Sequence, residues 1–152
     1  MRQTLLFVFL LCNNLIFAQN NVKALVGGTL IDGYGNEPLD NSVIIIEGER
    51  ITDIGQVGQI DIPDNAEIIS TEGMSVLPGL WDMHVHLMLN GHSDYGHWHP
   101  TYMPIQQEVI MPASAHQLLM AGVTSARDLG APLREILGVR DAINAGEIPG
   151  PT

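Results

Sequence analysis

Two histidines, His84 and His86, stand one residue apart in the run PGLWDMHVH at residues 78–86, and that spacing carries the chemistry of this chain. Side chains alternate along a β-strand, so Asp82, His84 and His86 share one face while Trp81, Met83, Val85 and Leu87 share the other. Neutral imidazole binds zinc at ~2.0–2.1 Å, and two rings at i and i+2 can converge on one divalent ion. The segment follows a Pro-Gly turn, is apolar on one side and leads toward a helical pattern, so both of its faces read as buried. Buried imidazoles need partners. A bare H-x-H also arises by accident, and two incidental polar residues remain the alternative at this level.

Other candidates lie nearby. His92, His97 and His99 fall in a segment, 89–104, that reads as a loop because Gly91, Gly96, Pro100 and Pro104 break any periodicity. His97, His99 and Arg127 are candidate pocket-lining residues, against the alternative that the loop's histidines and aromatics simply pack over the site. Arg127 and Asp128 end a second strand, where an ion pair or a turn cap is the simpler reading than catalysis. His116 sits on a helix and reads as a surface residue, and the seven methionines read as core filler.

The elements that must position these groups form two halves. Residues 22–77 alternate short apolar runs with Gly, Asn, Asp and Pro, which predicts strands at 22–26, 29–31, 43–47, 50–54, 67–70 and 74–77. The tight Gly48-Glu49 reversal predicts a hairpin. After residue 86 the pattern changes to a helix over 113–121 stopped by Gly122, a strand at 123–128, and an amphipathic helix over 133–145 stopped by Gly146. Strand, helix, strand, helix is the opening of a parallel α/β fold.

The chain has 152 residues, 45% of them hydrophobic, enough for one ordinary domain but short of the ~250 residues of a complete (β/α)8 barrel. Its formal charge of -11, from 17 acidic and 6 basic residues, excludes nucleic-acid binding, which needs clustered Lys and Arg. Arg2, the apolar run at residues 5–11 and Phe17-Ala18 before Gln19 predict an export signal over residues 1–18. Asn13 and Asn14 break the run too early for a transmembrane anchor, which needs ~20 apolar residues. Cys12, the one cysteine, falls inside that signal, so the mature chain is expected to hold no disulfide and to be periplasmic or secreted in a bacterium.

Taken together, ALVGGTLIDGYG, SVIIIEGERITDIG, PGLWDMHVHL, AGVTSARDLG and GEIPGP resemble the first third of an exported amidohydrolase, of the imidazolonepropionase-like and prolidase-like kind. The resemblance implies an α/β protein: residues 19–77 as the N-terminal part of a composite β-sandwich, and residues 78–152 as the first two βα units of an incomplete (β/α)8 barrel. It implies a hydrolase of amide, cyclic amide or dipeptide-type carbon–nitrogen bonds with one or two divalent metals, zinc foremost and Mn, Fe or Co as alternatives, and a small-molecule or dipeptide-like substrate. His84 and His86 match the family's first two metal ligands. The bridging carboxylated lysine or glutamate, two further histidines and the catalytic aspartate belong to later strands, so no catalytic residue is expected within this chain. Lys23, the only lysine, precedes the first barrel strand and cannot be the bridge. The chain alone is therefore expected to be an inactive N-terminal fragment. The alternative is an exported β-rich binding module that keeps the motif without catalysis.

Overall fold

The computed structural model describes residues 22–89, 91 and 93–152; the expected export signal and His92 lie outside them. The chain divides into two compact units, Met1–Leu77 and Pro78–Thr152.

The described residues of the first unit form only β-strands and their connections. Strands β1 (Val22–Val26), β3 (Ser42–Glu47), β4 (Arg50–Gln56) and β5 (Glu67–Ser70) form a sheet in the order β4-β3-β1-β5, while β2 (Thr29–Leu30) pairs with β6 (Ser75–Val76). β1 runs antiparallel to β3, with Val26 opposite Val43, and parallel to β5. Its central place follows from composition. β-branched residues pack well on a pleated surface, and Val22, Ala24, Val43 and Ile45 make the buried cluster of this sheet, flanked by Val26, Ile60, Ile62 and Ala66. The β3–β4 hairpin turns at Gly48, whose φ of 60° is the left-handed conformation that glycine adopts without steric cost. In the loop between β2 and β3, Asp32 accepts from the Asn36 side-chain amide at 2.6 Å and from the Tyr34 N–H at 2.8 Å, and these bonds hold its carboxyl below the ordinary aspartate range.

The second unit is α/β. Strand β7 (Leu80–Val85) leads into α1 (Tyr95–Tyr102), a 3-10 turn (Met103–Ile105), a π-helical turn (Gln106–Ile110) and α2 (Met111–Met120); then come β8 (Val123–Asp128) and α3 (Leu133–Asn144). β7 and β8 are parallel, so the helical segment between them is a βαβ crossover. Thr152 lies beside β8, donating its N–H to Thr124 O and accepting from Ala126 N–H, both at 3.0 Å. Val85 and Leu87 of the first strand segment pack on Met111, Ala115 and Val139, and Ile136, Ile143 and Leu118 close around them.

Two expectations are corrected here. The segment 89–104 is not all loop, because α1 occupies Tyr95–Tyr102. Asp94 caps that helix by accepting from the His97 N–H at 3.1 Å. Its stabilising feature is an aromatic stripe at i, i+3, i+4 and i+7: the Trp98 ring packs against those of Tyr95, His99 and Tyr102, at centroid distances of 6.4, 5.5 and 5.8 Å. Trp98 is only 2% exposed. That spacing was a helical signal, and Pro100 and Pro104 masked it. The second correction concerns β7, whose faces are not both buried. Val85 is covered, yet Trp81 and Met83 are 72% and 50% exposed, because the core of this unit meets only the carboxyl-terminal part of the strand.

Candidate metal centre at the end of the first α/β strand

The ladder between β7 and β8 slips just where the histidines stand. Asp82 lies opposite Ala126 and Val85 opposite Asp128, so β7 carries one residue more than its partner between these points. A bulge of this kind leaves a residue outside the ladder and re-aims side chains. The His84 N–H, freed from the ladder, donates instead to the Asp82 carboxylate at 3.1 Å. Beyond the bulge the Leu129 N–H donates to Val85 O at 3.1 Å, and the Leu87 N–H donates to the Asp128 carboxylate at 2.8 Å.

This local arrangement turns both imidazoles toward one point. His84 Nε2 and His86 Nε2 are 3.2 Å apart, with ring centroids 5.1 Å apart and the planes inclined at 67°. Two nitrogens held by one tetrahedral ion at ~2.0–2.1 Å are separated by ~3.3–3.4 Å, so the pair fits the donor set of a zinc-type ion. The same separation is also compatible with one neutral ring donating an N–H to the other. His84 is exposed rather than buried as expected, and His86 is half-buried. Asp82, His84 and His86 open on a cavity of about 440 Å3 whose far wall is Ser114, Gln117 and Leu118 of α2. Among the described residues no third His, Cys, Asp or Glu joins the pair in a metal-holding group.

The other sequence candidates lie elsewhere. His97 and His99 are on α1 and not in a loop, and neither lines this cavity. Arg127 borders a different, largely apolar cavity of about 300 Å3 against α3, with Leu133, Ile136 and Ile143. The residue that sequence reasoning undervalued is Asp128. It makes no ion pair with Arg127 among the described residues; its carboxylate accepts three backbone N–H groups, from Leu87, Gly130 and Ala131, at 2.8, 2.9 and 2.9 Å. Its place at a strand end was visible in the sequence, but its partner 41 residues away was not.

The chain is similar in sequence and in fold to known proteins. The chain is 40% identical over 63 residues to the imidazolonepropionase of Micrococcus luteus, a match spanning 41% of this chain and 15% of that enzyme. Its fold superposes on molinate hydrolase with a TM-score of 0.76 and 31% identity, covering 88% of this chain and 29% of the hydrolase. A prolidase solved with N-methylphosphonate-L-proline gives a TM-score of 0.70 at 26% identity, covering 86% of this chain and 30% of the prolidase. The chain thus spans less than a third of each of these proteins. No helix among the described residues is long and apolar enough to cross a membrane. The model of the amidohydrolase family matches residues 75–152, which include the paired histidines and both parallel strands, and the chain belongs to that family.

Proposed function

We propose that this chain supplies the first part of a metal-dependent amidohydrolase that cleaves a carbon–nitrogen bond of amide, cyclic amide or dipeptide type. The observation that carries the reading is the approach of His84 Nε2 and His86 Nε2 to 3.2 Å at the carboxyl end of a parallel strand, the end where α/β barrels assemble their catalytic groups. In this reading the two imidazoles are the first two ligands of a divalent ion, zinc by preference and Mn, Fe or Co as alternatives. Such an ion makes bound water a hydroxide source near neutral pH and polarises the substrate carbonyl. Asp82 keeps the His84 backbone in its bulge, and the cavity beside the pair is where a small substrate would enter. His97, His99 and Arg127 do not line that cavity and are given no part in it. The remaining ligands and the catalytic acid and base would come from further barrel strands, and the 152-residue chain alone is expected to be inert.

The test is metal analysis beside steady-state hydrolysis on the full-length protein, with dipeptides ending in proline and cyclic amides as substrates. His84→Ala and His86→Ala should each lower metal content and bring hydrolysis to background together, whereas exposed His116→Ala on α2 should change neither. Unchanged metal occupancy in a folded double variant of His84 and His86 would overturn the assignment.

A further inference from the structure

The loop that joins β8 to α3 is built around the His86 ring. Gly130, two residues past the end of β8, brings its backbone so close that a Cβ there would overlap Cε1 and Nδ1 of His86. The same glycine is held in place by its N–H, donated to Asp128 Oδ1 at 2.9 Å, with the Ala131 N–H on the same oxygen at 2.9 Å. The other oxygen of that carboxylate takes the Leu87 N–H at 2.8 Å, the peptide immediately after His86. One side chain therefore ties the backbone that carries His86 to the backbone that walls off its ring. His86 Nδ1 is buried and has no hydrogen-bond partner among the described residues. A metal-ligating histidine usually has its ring oriented by a hydrogen bond from its second nitrogen. Here that nitrogen meets Gly130 instead, and steric contact is left to set the ring.

We infer that Asp128 and Gly130 are positioning residues for His86: the carboxylate fixes the spacing between the two backbone segments, and the bare α-carbon of Gly130 closes on the imidazole edge so that Nε2 faces His84. This inference rests on the reading of His86 as a metal ligand. A carboxylate that only caps a turn would account for the bonds to Gly130 and Ala131. It would not account for the bond across to Leu87, nor for the fit of Gly130 against the ring.

The experiment measures zinc affinity of the full-length protein by competition with a chromophoric chelator, and the visible spectrum of the cobalt(II)-substituted protein, for Gly130→Ala, Asp128→Asn, His86→Ala and each of the first two combined with His86→Ala. Loss of an orienting contact around a ligand weakens metal binding by ~10–100-fold. That loss and a changed cobalt spectrum are expected for Gly130→Ala and, at the lower end, for Asp128→Asn. Neither should weaken zinc binding further once His86 is alanine, because both act through that ring. Wild-type affinity and spectrum in both folded variants would overturn the inference. So would an equal loss in the His86→Ala background, which marks a general structural effect. If Gly130→Ala fails to fold, Asp128→Asn, which keeps the side-chain volume, decides alone. Should His86→Ala itself leave zinc affinity unchanged, the metal reading falls and this inference with it; a weakened His86→Ala protein beside silent Gly130 and Asp128 variants refutes the positioning role alone.

Discussion

Replacing Met111 by alanine removes the largest fully buried side chain among the described residues, at the point where α2 meets the strand segment that leads to His86. Met111 is 0% exposed and packs with Val85 and Leu87, which flank His86 in sequence. The substitution deletes three heavy atoms, Cγ, Sδ and Cε, worth ~2 kcal/mol of transfer free energy at ~0.8 kcal/mol per methylene. A residual cavity of a few tens of Å3 adds ~1 kcal/mol at ~24 cal/mol per Å3, for a total of ~3 kcal/mol. For a unit of this size, with a urea m-value of about 1 kcal/mol/M, the unfolding midpoint should fall by ~3 M. The assay is built into the sequence. Both tryptophans, Trp81 and Trp98, lie in Pro78–Thr152, and Trp98 is buried while Trp81 is 72% exposed, so the red shift of emission on unfolding reports Trp98. Met111→Leu, which nearly conserves volume, should cost less than ~1.5 kcal/mol. If Met111→Ala moves the midpoint by no more than Met111→Leu does, the packing argument for how β7 is held is wrong.

Two further outcomes are expected. Because Asp32 is held below its ordinary value first by the Asn36 amide and then by the Tyr34 N–H, the loop contact is fully present above the unfolded aspartate range and is lost as pH falls through the lowered folded value. Asn36→Ala should raise the Asp32 titration midpoint toward that of a free carboxyl, read from its carboxyl carbon by NMR, and an unmoved midpoint would show that the amide is not the cause. We also propose that the exported protein begins at Gln19; mass analysis of its amino terminus from expressing cells should find that residue, and an intact Met1 on cytoplasmic protein would refute it.

What the sequence determined by itself was local. The Gly48-Glu49 reversal flanked by β-branched runs specifies the β3–β4 hairpin, since the turn and both strands lie within a few residues. The amphipathic spacing of Ile136, Val139 and Ile143 specifies α3 in the same way, and the H-x-H spacing put His84 within β7 and His86 one residue past its end. A helix inside 89–104 was also legible, in the stripe of Tyr95, Trp98, His99 and Tyr102, but two prolines spoke against it and its burial around Trp98 outweighed them. Tertiary structure alone decided what depends on distant partners. The bulge between Asp82 and Val85 exists because β8 offers one residue fewer over that stretch, and no property of residues 82–85 announces it. Asp128 became an anchor for the peptide after His86 because the parallel pairing of β7 and β8 brings Leu87 to it across 41 residues. Gly130 likewise reads as an ordinary turn glycine until the His86 ring lies against it. Turn and helix signals are written in short-range sterics and periodicity, whereas the aim of a side chain is set by whichever backbone the fold brings beside it.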